Sequence, residues 1–593
     1  MKTFSITTLG CRVNHYESEQ LATLLRARGL VQTAPADADL RVVHTCSVTT
    51  EAASKSRQSV RRNTRLTVLA SQHAPEGCLA PSPGTPGEGW GEGLHREPCG
   101  ATTTTPCAVA NLQLSSESSS LQSASGIAAA SASTRPKVVV TGCWATSDRA
   151  QAAALPGVHA VLGHHQDVGL ELTRLLTQWQ AEEQSPICST SPIPLHSNSH
   201  APESGSDEEW MMQKAGTPAA RITRANEPHA HTKVNGKLEH DEDPCDAIHE
   251  DLPNPRAAHR NITRGTTTLP QLDARQSTHQ RAFLKIQDGC DAHCTYCIIP
   301  QLRPTLWSKP LADTIAEARA LVAAGHNELV LTGIFLGAYG HPTALRRRQP
   351  QSITHHSPLI TLINALCTQI PDLHRLRLSS LEPGDLTPSL LEDLRRHPQV
   401  VPHFHLPLQS GSERILRRMN RQYTRDDFLR MVDHLTQTFD RPAITTDIIV
   451  GFPGESDAEF DATLDVVNRV RFIHTHAFPY SPRPNTAAAR WTDKQIPGPV
   501  VHRRMAHLRT LAAEHSLEFR QSFLNQTVEI LIERPSHDER DLAPLAHHQH
   551  GRTERYFPVH VPSTNLPPGT LARIRVGRIT PTATFGTLLE SAR

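Results

Sequence analysis

Short strand-like runs alternate with helical segments throughout the stretch from Arg281 to about residue 520. Runs such as 328–331, 375–378 and 446–450 are rich in aliphatic and β-branched residues, and segments with helical periodicity separate them. Strands that alternate with helices in this way form βαβ units, in which neighbouring strands run parallel. The alternation therefore predicts a parallel α/β architecture for this part of the chain.

Two polar stretches divide the rest of the chain. Only 37% of the 593 residues are apolar and 4% are aromatic, below the roughly 45–50% apolar share of ordinary globular chains. Residues from about 70 to 135 and from 181 to 279 are rich in Ser, Pro, Gly, Thr and His, so they cannot bury much apolar surface. We expect folded segments at 1–65, 136–180 and 281–520, and a small β domain from residue 523.

Net charge and hydropathy argue against a chain drawn to nucleic acid by its overall charge and against a membrane protein. Lys and Arg number 60 against 59 Asp and Glu, so no global field draws the chain to nucleic acid or to a membrane. No apolar run approaches the roughly 18 residues of a membrane span, and Arg12 interrupts the N-terminus before a signal sequence can build up. We expect a cytoplasmic protein with no membrane partner.

Three of the twelve cysteines lie together in the central segment. Cys290, Cys294 and Cys297 have C-x3-C-x2-C spacing and follow a strand-like run at 283–286. Three thiolates on one loop can hold three corners of a [4Fe–4S] cluster and leave the fourth iron open to a chelating substrate. The alternative is a zinc loop, for which His293 could supply the fourth ligand. The α/β alternation behind the loop favours the cluster.

Further polar and glycine residues follow the strand-like runs downstream of these cysteines. They stand where ligands bind, because residues beyond the carboxyl ends of parallel strands line the ligand face of α/β folds. The alternative is that they only form turns between elements. The candidate cofactor-binding residues are Thr332, Gly333, Ser380, Glu382, Gln409 and Asp447.

Three cysteines of the first segment share one context. Cys11, Cys46 and Cys143 each come directly after a strand-like run. In a parallel sheet these positions lie at one edge, so three residues far apart in sequence can converge there. They form either a second three-thiolate cluster site or, individually, three buried apolar cysteines.

The motifs around both groups resemble those of the methylthiotransferases, a family of radical SAM enzymes. The central trio with Tyr296 resembles the radical SAM signature. Residues 9–19, 45–58 and 140–145 look like the three cluster motifs of the family, and 419–423 and 480–484 are also similar to it. The resemblance implies four parts: an N-terminal α/β cluster domain at 1–180, a linker at 181–279, a radical SAM partial (β/α) barrel at 280–520, and a TRAM-like RNA-binding β-barrel at 523–590.

The resemblance also implies an activity. Leu9-Gly-Cys-Arg-Val-Asn resembles the branch that adds a methylthio group to C2 of N6-threonylcarbamoyladenosine beside the tRNA anticodon. The implied cofactors are S-adenosylmethionine and two [4Fe–4S] clusters, on Cys290, Cys294 and Cys297 and, as the sulfur carrier, on Cys11, Cys46 and Cys143. The implied partners are tRNA and a flavodoxin- or ferredoxin-like reductant, with the enzyme a monomer. Alternatives are methylthiolation of isopentenyl-adenosine tRNA or of a ribosomal protein, and a non-catalytic iron–sulfur RNA-binding protein.

Four positions depart from the family pattern. His44 stands where the family has Asn, Pro304 follows Arg303 where it has Gly, Leu306 replaces Arg, and Asn485 replaces Gly. None of them removes a predicted cluster ligand. Pro304 restricts the backbone beside the central trio, so it bears on rate and substrate fit.

Contacts with RNA are predicted at two places. Residues 54–65 carry five basic and no acidic side chains, among them Arg57, Arg61 and Arg62. In the tail, Arg552 and Tyr556 belong to a segment that resembles the TRAM loop, where an aromatic ring could stack on a base. A second basic run, Arg414, Arg417, Arg418 and Arg421, recurs at helical spacing. The alternative for such runs is a solvated helix face.

Overall fold

The computed structural model describes residues 1–66, 136–184, 268–274, 279–345, 357–534, 548–562 and 565–592. The insert at about 70–135, most of the predicted linker at 181–279, and Cys78, Cys99, Cys107, Cys188 and Cys245 lie outside the described residues. Residues 1–178 and 266–593 form one compact unit, and residues 179–265 form another. Among the described helices, none is both long and apolar enough to span a membrane.

The N-terminal segment is a parallel five-stranded sheet, as predicted. Its strands are β1 (Thr3–Thr8), β2 (Val31–Gln32), β3 (Leu40–Thr45), β4 (Lys137–Gly142) and β5 (Ala160–Leu162), in the order β2-β1-β3-β4-β5. The helices are α1 (Arg12–Ala27), α2 (Thr50–Arg65), α3 (Cys143–Ser147), α4 (Arg149–Ala153) and α5 (Val168–Gln184). Val43, Val140 and the fully buried Trp144 form part of the core under this sheet.

The chain leaves this sheet and returns to it at one place. The Arg41 guanidinium donates to the carbonyl of Leu66, the last residue described before the insert, over 2.6 Å. Lys137, at the start of the returning strand β4, pairs in register with Leu40. Both ends of the insert therefore lie at the amino end of β3, opposite the carboxyl edge that carries the cysteines.

The central segment contains six parallel strands in chain order. They are β6 (Ala282–Lys285), β9 (Glu328–Thr332), β10 (Arg375–Leu378), β11 (His403–His405), β12 (Ala443–Val450) and β13 (His474–Pro479), and a short antiparallel pair, β7 (Gln287–Asp288) and β8 (Trp307–Ser308), stands apart. A parallel bridge between Leu376 and Val400 connects the two three-stranded halves. Sequential parallel strands with helices between them form the predicted partial (β/α) barrel.

The helices of this segment cover the outside of the sheet. They are α6 (Ile299–Leu302), α7 (Leu311–Ala323), α8 (Pro358–Gln369), α9 (Pro388–Arg396), α10 (Glu413–Arg418), α11 (Arg425–Thr438), α12 (Asp457–Val470) and α13 (Gly498–Gln521). On β12, Ile444, Ile448 and Val450 pack into the core shared with these helices. Because strand side chains alternate, Thr445 and Asp447 point to the opposite face, which is the interior of the partial barrel.

The C-terminal segment is a closed five-stranded barrel, which confirms the predicted small β domain. Its strands are β14 (Thr527–Ile532), β15 (His548–Thr553), β16 (Pro558–Pro562), β17 (Leu571–Ile579) and β18 (Thr584–Ala592), in the order β14-β15-β16-β18-β17. Alternate side chains such as Val528, Ile530 and Ile574 fill its interior.

Two buried arginines of the central segment donate hydrogen bonds to this small barrel. Arg375 donates to the Glu529 carbonyl oxygen over 2.7 Å, and Arg377 donates to the Glu554 carbonyl oxygen over 3.0 Å. Glu328, which is 1% exposed, accepts from Arg377 Nε over 2.7 Å. Burial alone would raise the pKa of Glu328, but Arg377 and Arg375 outweigh it and hold that pKa below the ordinary 4.5.

Glu328 makes the fold acid-sensitive. Because its pKa is lower in the folded than in the unfolded chain, its ionised form contributes stability that is present above about pH 4.5 and is lost as the pH falls further. We expect the urea midpoint to fall between pH 6 and pH 3 in the parent chain. In Glu328→Gln that fall should be smaller, although the variant starts from a lower midpoint. An equal fall in both chains would contradict this assignment.

Candidate functional site

Cys11, Cys46 and Cys143 lie at the carboxyl edge of the N-terminal sheet. Cys11 precedes helix α1 after strand β1, Cys46 follows β3, and Cys143 opens helix α3 after β4. These three strands are neighbours and run parallel, so their carboxyl ends meet. The structure brings the three residues to one place, as the sequence predicted.

Two glycines allow this convergence. Gly10 and Gly142 have φ values of 108° and 94°, in the left-handed region that side chains rarely adopt. A Cβ on Gly10 would lie 2.8 Å from the Cys46 Cβ, and a Cβ on Gly142 would collide with the Thr45 carbonyl oxygen. Each glycine therefore lets one cysteine-bearing turn approach the next.

The donor set of this group fits a cluster held by three thiolates. Burial raises the pKa of Cys46 to about 11 and raises that of Cys143 further. Thiols of this kind need a metal to become thiolates near neutral pH. The nearest imidazole, His164, has Nε2 3.7 Å from the Cys143 sulfur, but Arg303 donates to the same nitrogen over 3.0 Å. His164 is thus engaged, and one corner of a cluster would have no ligand among these residues.

A substitution at Gly142 tests this arrangement. Alanine there would force Cys143 away from the Thr45 backbone, because both the φ value and the space exclude a Cβ. We expect Gly142→Ala to lose the N-terminal cluster alone, so that iron falls from about eight to about four atoms per chain after reconstitution. Gly29→Ala is the matched control, since Gly29 also has a positive φ but no atom within 4 Å of its Cβ position. Eight irons in Gly142→Ala would contradict the assignment.

Cys290, Cys294 and Cys297 occupy the loop between strand β7 and helix α6. The Cys290 amide donates to the Arg303 carbonyl oxygen and the Cys297 amide to that of Cys294, each over 3.1 Å. Burial raises the pKa of both Cys290 and Cys297 to about 12. His293, which a zinc site would need as its fourth ligand, is exposed. Three thiols on one loop fit a cluster with an open iron.

Arg421 contacts the central trio, which the sequence reasoning did not predict. Its Nη1 donates to the Cys294 sulfur over 3.2 Å, its Nη2 donates to Glu382, and its side chain is 6% exposed. The sequence reasoning assigned Arg421 to a basic helical run, but helix α10 ends at Arg418 and the chain then turns inward. The sequence offered one signal that Arg421 differs from the rest of the run, because the aromatic Tyr423 follows it by two residues. In the structure Arg421 Nε donates to the Tyr423 hydroxyl.

The predicted cofactor-binding residues lie at the carboxyl ends of successive strands. Glu382 contacts the central trio through Arg421. Thr332 ends strand β9, Gly333 follows it, and the next loop residues pack Phe335 against Cys290 and Cys294. Asp447 lies in the barrel interior, where His405 Nε2 is 3.2 Å from its Oδ2.

The remaining two predicted cofactor-binding residues, Gln409 and Ser380, lie in different environments. Gln409 has a φ of 65°, and its backbone bonds both Asp447 and Ile449 of the neighbouring strand. Ser380 is exposed, after strand β10. Their assignment as cofactor-binding residues stays a prediction.

The two cysteine groups are in contact through their supporting residues. Cys143 packs against Ile298, which directly follows Cys297, and against Leu302, the last residue of helix α6. From the other side, Thr50 donates its amide to Ser481 Oγ over 2.9 Å, and Arg483 is close enough to Cys46 to oppose the rise of its pKa. Arg483 is 5% exposed, and its Nε has no hydrogen-bond partner in the described chain.

A buried ion network connects the N-terminal sheet to the central trio. Arg303 donates to both carboxylate oxygens of Glu17 over 2.8 Å and to Asp288 over 2.8 Å. Lys285 donates to Glu17 over 2.7 Å and to Asp288 over 2.6 Å. Burial raises the pKa of Glu17, but Arg303 and Lys285 outweigh that effect and hold it well below its usual range. Two cations and two anions therefore balance in the interior.

The departures from the family pattern are accommodated locally. His44 is buried, with Nδ1 3.0 Å from Ser18 Oγ and Nε2 3.4 Å from Glu17. Asn485 has a φ of 63°, and Asn is the non-glycine residue that best tolerates this conformation. Leu306 packs against the apolar residues around Cys290. Pro304 sits between Arg303, whose carbonyl bonds Cys290, and Thr305, against which Gly289 is tightly packed.

The predicted RNA contacts fall into two groups. Arg61 and Arg62 are exposed on helix α2 and Arg57 is half-buried, near Arg483. Tyr556 is half-buried: Arg281, Arg377 and Arg552 lie within 4.9 Å of its ring centroid, and the tilted His403 ring lies beside it at 4.9 Å. These contacts place Tyr556 at the joint between the two barrels, and its assignment to RNA binding stays a prediction.

The comparison with protein families agrees with this geometry. The model of the radical SAM superfamily matches residues 284–467, and that of the uncharacterized protein family UPF0004 matches residues 3–85. The first range contains the central trio, and the second contains Cys11 and Cys46. Among solved structures, the radical S-adenosylmethionine methyltransferase TsrM from Kitasatospora setae matches at a TM-score of 0.44 and 14% identity, covering 82% of this chain and 74% of that chain.

Curated relatives decide the family. The threonylcarbamoyladenosine tRNA methylthiotransferase MtaB of Bacillus subtilis is 27% identical over 97% of this chain and 94% of its own length. Its namesake from Chlamydia pneumoniae is 39% identical, but the match covers only 60% of that protein and 45% of this chain. The tRNA-2-methylthio-N(6)-dimethylallyladenosine synthase of Maricaulis maris is 34% identical over 54% of this chain and 67% of its own length. The chain belongs to the methylthiotransferase family of radical SAM enzymes.

Membership in the methylthiotransferase family accounts for two groups of three cysteines. Radical SAM enzymes use S-adenosylmethionine and a [4Fe–4S] cluster, and methylthiotransferases carry a second cluster. Both donor sets described above fit such a cluster, with three thiols and no free fourth ligand among the described residues.

Proposed function

We propose that this chain adds a methylthio group to C2 of N6-threonylcarbamoyladenosine beside the tRNA anticodon. The packing of Cys143 against Ile298 and Leu302 carries the proposal, because it holds the two cysteine groups side by side. A reaction that needs both a radical and a sulfur donor requires such an arrangement. The similarity to the Bacillus subtilis enzyme over nearly the whole of both chains supports this substrate.

Six cysteines would hold the cofactors. Cys290, Cys294 and Cys297 would hold the cluster that binds S-adenosylmethionine, and Cys11, Cys46 and Cys143 the second cluster. When bound, these groups supply a 5′-deoxyadenosyl radical for hydrogen abstraction and the methylated sulfur for transfer. The protein supplies orientation, a dry interior and electrostatic support.

Residues around the central trio position the S-adenosylmethionine cluster. Arg421 donates to the Cys294 sulfur and opposes the effect of burial on its pKa, so it favours the thiolate that an iron needs. Glu382 fixes the other arm of this guanidinium, and the Tyr423 hydroxyl donates to the Pro407 carbonyl oxygen over 2.7 Å. Arg421 Nε donates to the same hydroxyl over 3.3 Å, so Glu382 and Tyr423 both hold the guanidinium beside the sulfur.

Residues in the barrel interior would orient the adenine. Burial opposes the charge on Asp447, but His405 and His476 outweigh it and hold its pKa below the usual range. Asp447 therefore remains a carboxylate that accepts from His405 Nε2 and can accept from the N6–H group of the modified adenine. We assign no general base, because hydrogen abstraction by a radical needs none.

The proposed partners follow from this activity. The substrate is tRNA, and exposed Arg61 and Arg62 on helix α2 offer phosphate contacts near the N-terminal cluster domain. A flavodoxin- or ferredoxin-like protein would supply the electrons. We propose that the enzyme works as a monomer in the cytoplasm.

Nucleoside mass spectrometry tests the proposal. The chain is expressed in a host that lacks its own enzyme, and its tRNA is digested and analysed. We expect 2-methylthio-N6-threonylcarbamoyladenosine with the parent chain and none with Cys290→Ala or Cys11→Ala. Cys367→Ala is the matched control, because Cys367 is buried in helix α8 away from both groups and should retain full activity. Absence of the product from cells with both clusters filled would overturn the proposal.

A second substrate is favoured by one observation. Several relatives named tRNA-2-methylthio-N(6)-dimethylallyladenosine synthase are more identical to this chain than the Bacillus subtilis enzyme is, with 34% for Maricaulis maris and 41% for Mycolicibacterium paratuberculosis, although over shorter matches. The same mass spectra distinguish the two products by nucleoside mass. Methylthiolation of dimethylallyladenosine alone would replace the first proposal with this one.

A further inference from the structure

Four ionisable side chains form a group on the interior face of the partial barrel. His405, Asp447 and His476 have donor or acceptor atoms that all lie within 4.8 Å of one another. His474 Nε2 is 3.2 Å from His476 Nδ1. In the parallel register Thr445 pairs with both His405 and His474, and Asp447 pairs with His476, so all four side chains point to one face.

The electrostatic balance of this group leaves His476 as a neutral donor. Burial lowers the pKa of His476 to about 3, and His474 adds to the shift. Asp447 already has His405 as its partner. His476 therefore presents an uncharged ring to the barrel interior, where an N–H group can donate to an anion.

Arg12 brings a positive charge to the same place. It is the first residue of helix α1, directly after Cys11, and it is half-buried. Its charge is close enough to His403 and His476 to lower their pKa values. Among the described residues Arg12 has no ion pair and no side-chain hydrogen bond, so its guanidinium is available to a ligand.

Two further observations favour an anion. The first turn of α1 has no acidic residue, and Cys11 makes no side-chain cap bond, so its amide groups and helix dipole also favour negative charge. His403, which is 2% exposed, has no hydrogen-bond partner on either ring nitrogen within the described chain. The arrangement of His405, Asp447 and His476 could also suit a divalent cation, but the charge on Arg12 opposes one.

We propose that Arg12 and His476 bind the carboxylate of the substrate's threonylcarbamoyl group and thereby determine which modified adenosine the enzyme accepts. This inference rests on the proposed function. A threonylcarbamoyl group ends in a carboxylate, whereas a dimethylallyl group is uncharged. A guanidinium pairs with a carboxylate through two parallel hydrogen bonds, and this geometry discriminates strongly against an uncharged group. Because Arg12 follows Cys11, the same contact would bring the adenine to the sulfur-carrying group.

A cycle of two substrates and two proteins tests the inference. One tRNA, ligated from synthetic fragments, carries N6-threonylcarbamoyladenosine, and the other carries its methyl ester, which removes only the charge. We expect the parent enzyme to prefer the acid by about tenfold or more in kcat/KM, as for a hydrogen-bonded charge. In Arg12→Gln this preference should fall to about twofold or less. His476→Asn, which keeps a donor, should retain part of it.

Controls separate this role from a structural one. Arg28→Gln changes an exposed arginine at the other end of helix α1 and should keep the parent preference. Iron content should remain at about eight per chain in Arg12→Gln, which excludes loss of a cluster as the cause.

Different results would overturn the inference about Arg12 and the proposed function. If the parent enzyme modifies the acid, but acid and ester are used equally or Arg12→Gln keeps the full preference, the inference is overturned and the proposed function stands. If Arg12→Gln loses iron as Cys11→Ala does, Arg12 supports the cluster and the inference is also overturned. If the fully loaded parent enzyme modifies neither tRNA, the proposed function itself fails.

Discussion

Replacing Arg421 with leucine is expected to reduce formation of 5′-deoxyadenosine by about 100-fold, the upper range for loss of a residue that supports a metal ligand. The Arg421 guanidinium donates to the Cys294 sulfur and is held by Glu382. Leucine removes the hydrogen bond and leaves Glu382 without its cation beside a group of thiolates. The measurement is 5′-deoxyadenosine released from S-adenosylmethionine under reducing conditions, together with iron content.

Arg417→Leu is the matched control for this experiment. Arg417 belongs to the same basic run but is exposed on helix α10, so its loss should leave 5′-deoxyadenosine formation unchanged. Arg421→Lys should give an intermediate rate, since it keeps the charge but cannot contact the sulfur and Glu382 together. Equal rates in Arg421→Leu and the parent chain would show that Arg421 is not a positioning residue for the trio.

Arg303→Leu is expected to lower the free energy of unfolding by about 3–5 kcal/mol, the usual cost of breaking a buried ion pair on one side. Arg303 is 5% exposed and pairs with Glu17 through both carboxylate oxygens. Without it, the buried Glu17 and the half-buried Asp288 would share only the charge of Lys285. The measurement is urea unfolding at pH 7, with the parent chain and the variant both prepared without clusters.

An exposed pair provides the control for this loss. Arg469 donates to Asp433 over 2.9 Å, and both side chains are more than half exposed. Arg469→Leu should therefore change stability by less than about 1 kcal/mol. An equal loss of unfolding free energy in the two variants would mean that the ion network around Arg303 stabilises the fold no more than a surface ion pair does. Loss of the N-terminal cluster in Arg303→Leu would further show that the network supports Cys143.

The sequence predicted those parts of the site that follow from local pattern. Runs of aliphatic residues between helices predicted both parallel sheets, and cysteines at the ends of those runs predicted where the thiols would meet. Parallel strands end at one edge whatever the loops between them, so this prediction needs no knowledge of tertiary packing. It was confirmed for the position of Cys11, Cys46 and Cys143 at one edge of the sheet.

Interactions between distant segments could not be predicted in this way. Glu17 and Arg303 are 286 residues apart, and no local pattern pairs them. The spacing of Arg414, Arg417, Arg418 and Arg421 indicated one solvated or RNA-facing helix surface, but the helix ends before Arg421 and that residue turns inward. An arginine run alone does not show which member the chain buries.

Tyr556 illustrates the same limit in the C-terminal barrel. An aromatic residue in a basic loop matched the composition of an RNA contact. In the structure Arg281 and Arg377 of the central segment each lie 4.9 Å from the ring centroid, so contacts with another part of the chain determine its environment. The exposed arginines of strand β17, Arg573, Arg575 and Arg578, remain on the outer face of that barrel.

The attachment of the insert at the amino end of strand β3 explains why added length need not disturb the chemistry. Leu66 and Lys137 are both bonded to the first residues of β3, so the segment between them closes on two points that are already adjacent. The entropy lost in closing such a loop grows only with the logarithm of its length, by about 0.6 kcal/mol for each doubling. The thiols occupy the far end of the same strands. A change in the length of this segment therefore need not move the edge of the sheet that carries Cys11, Cys46 and Cys143.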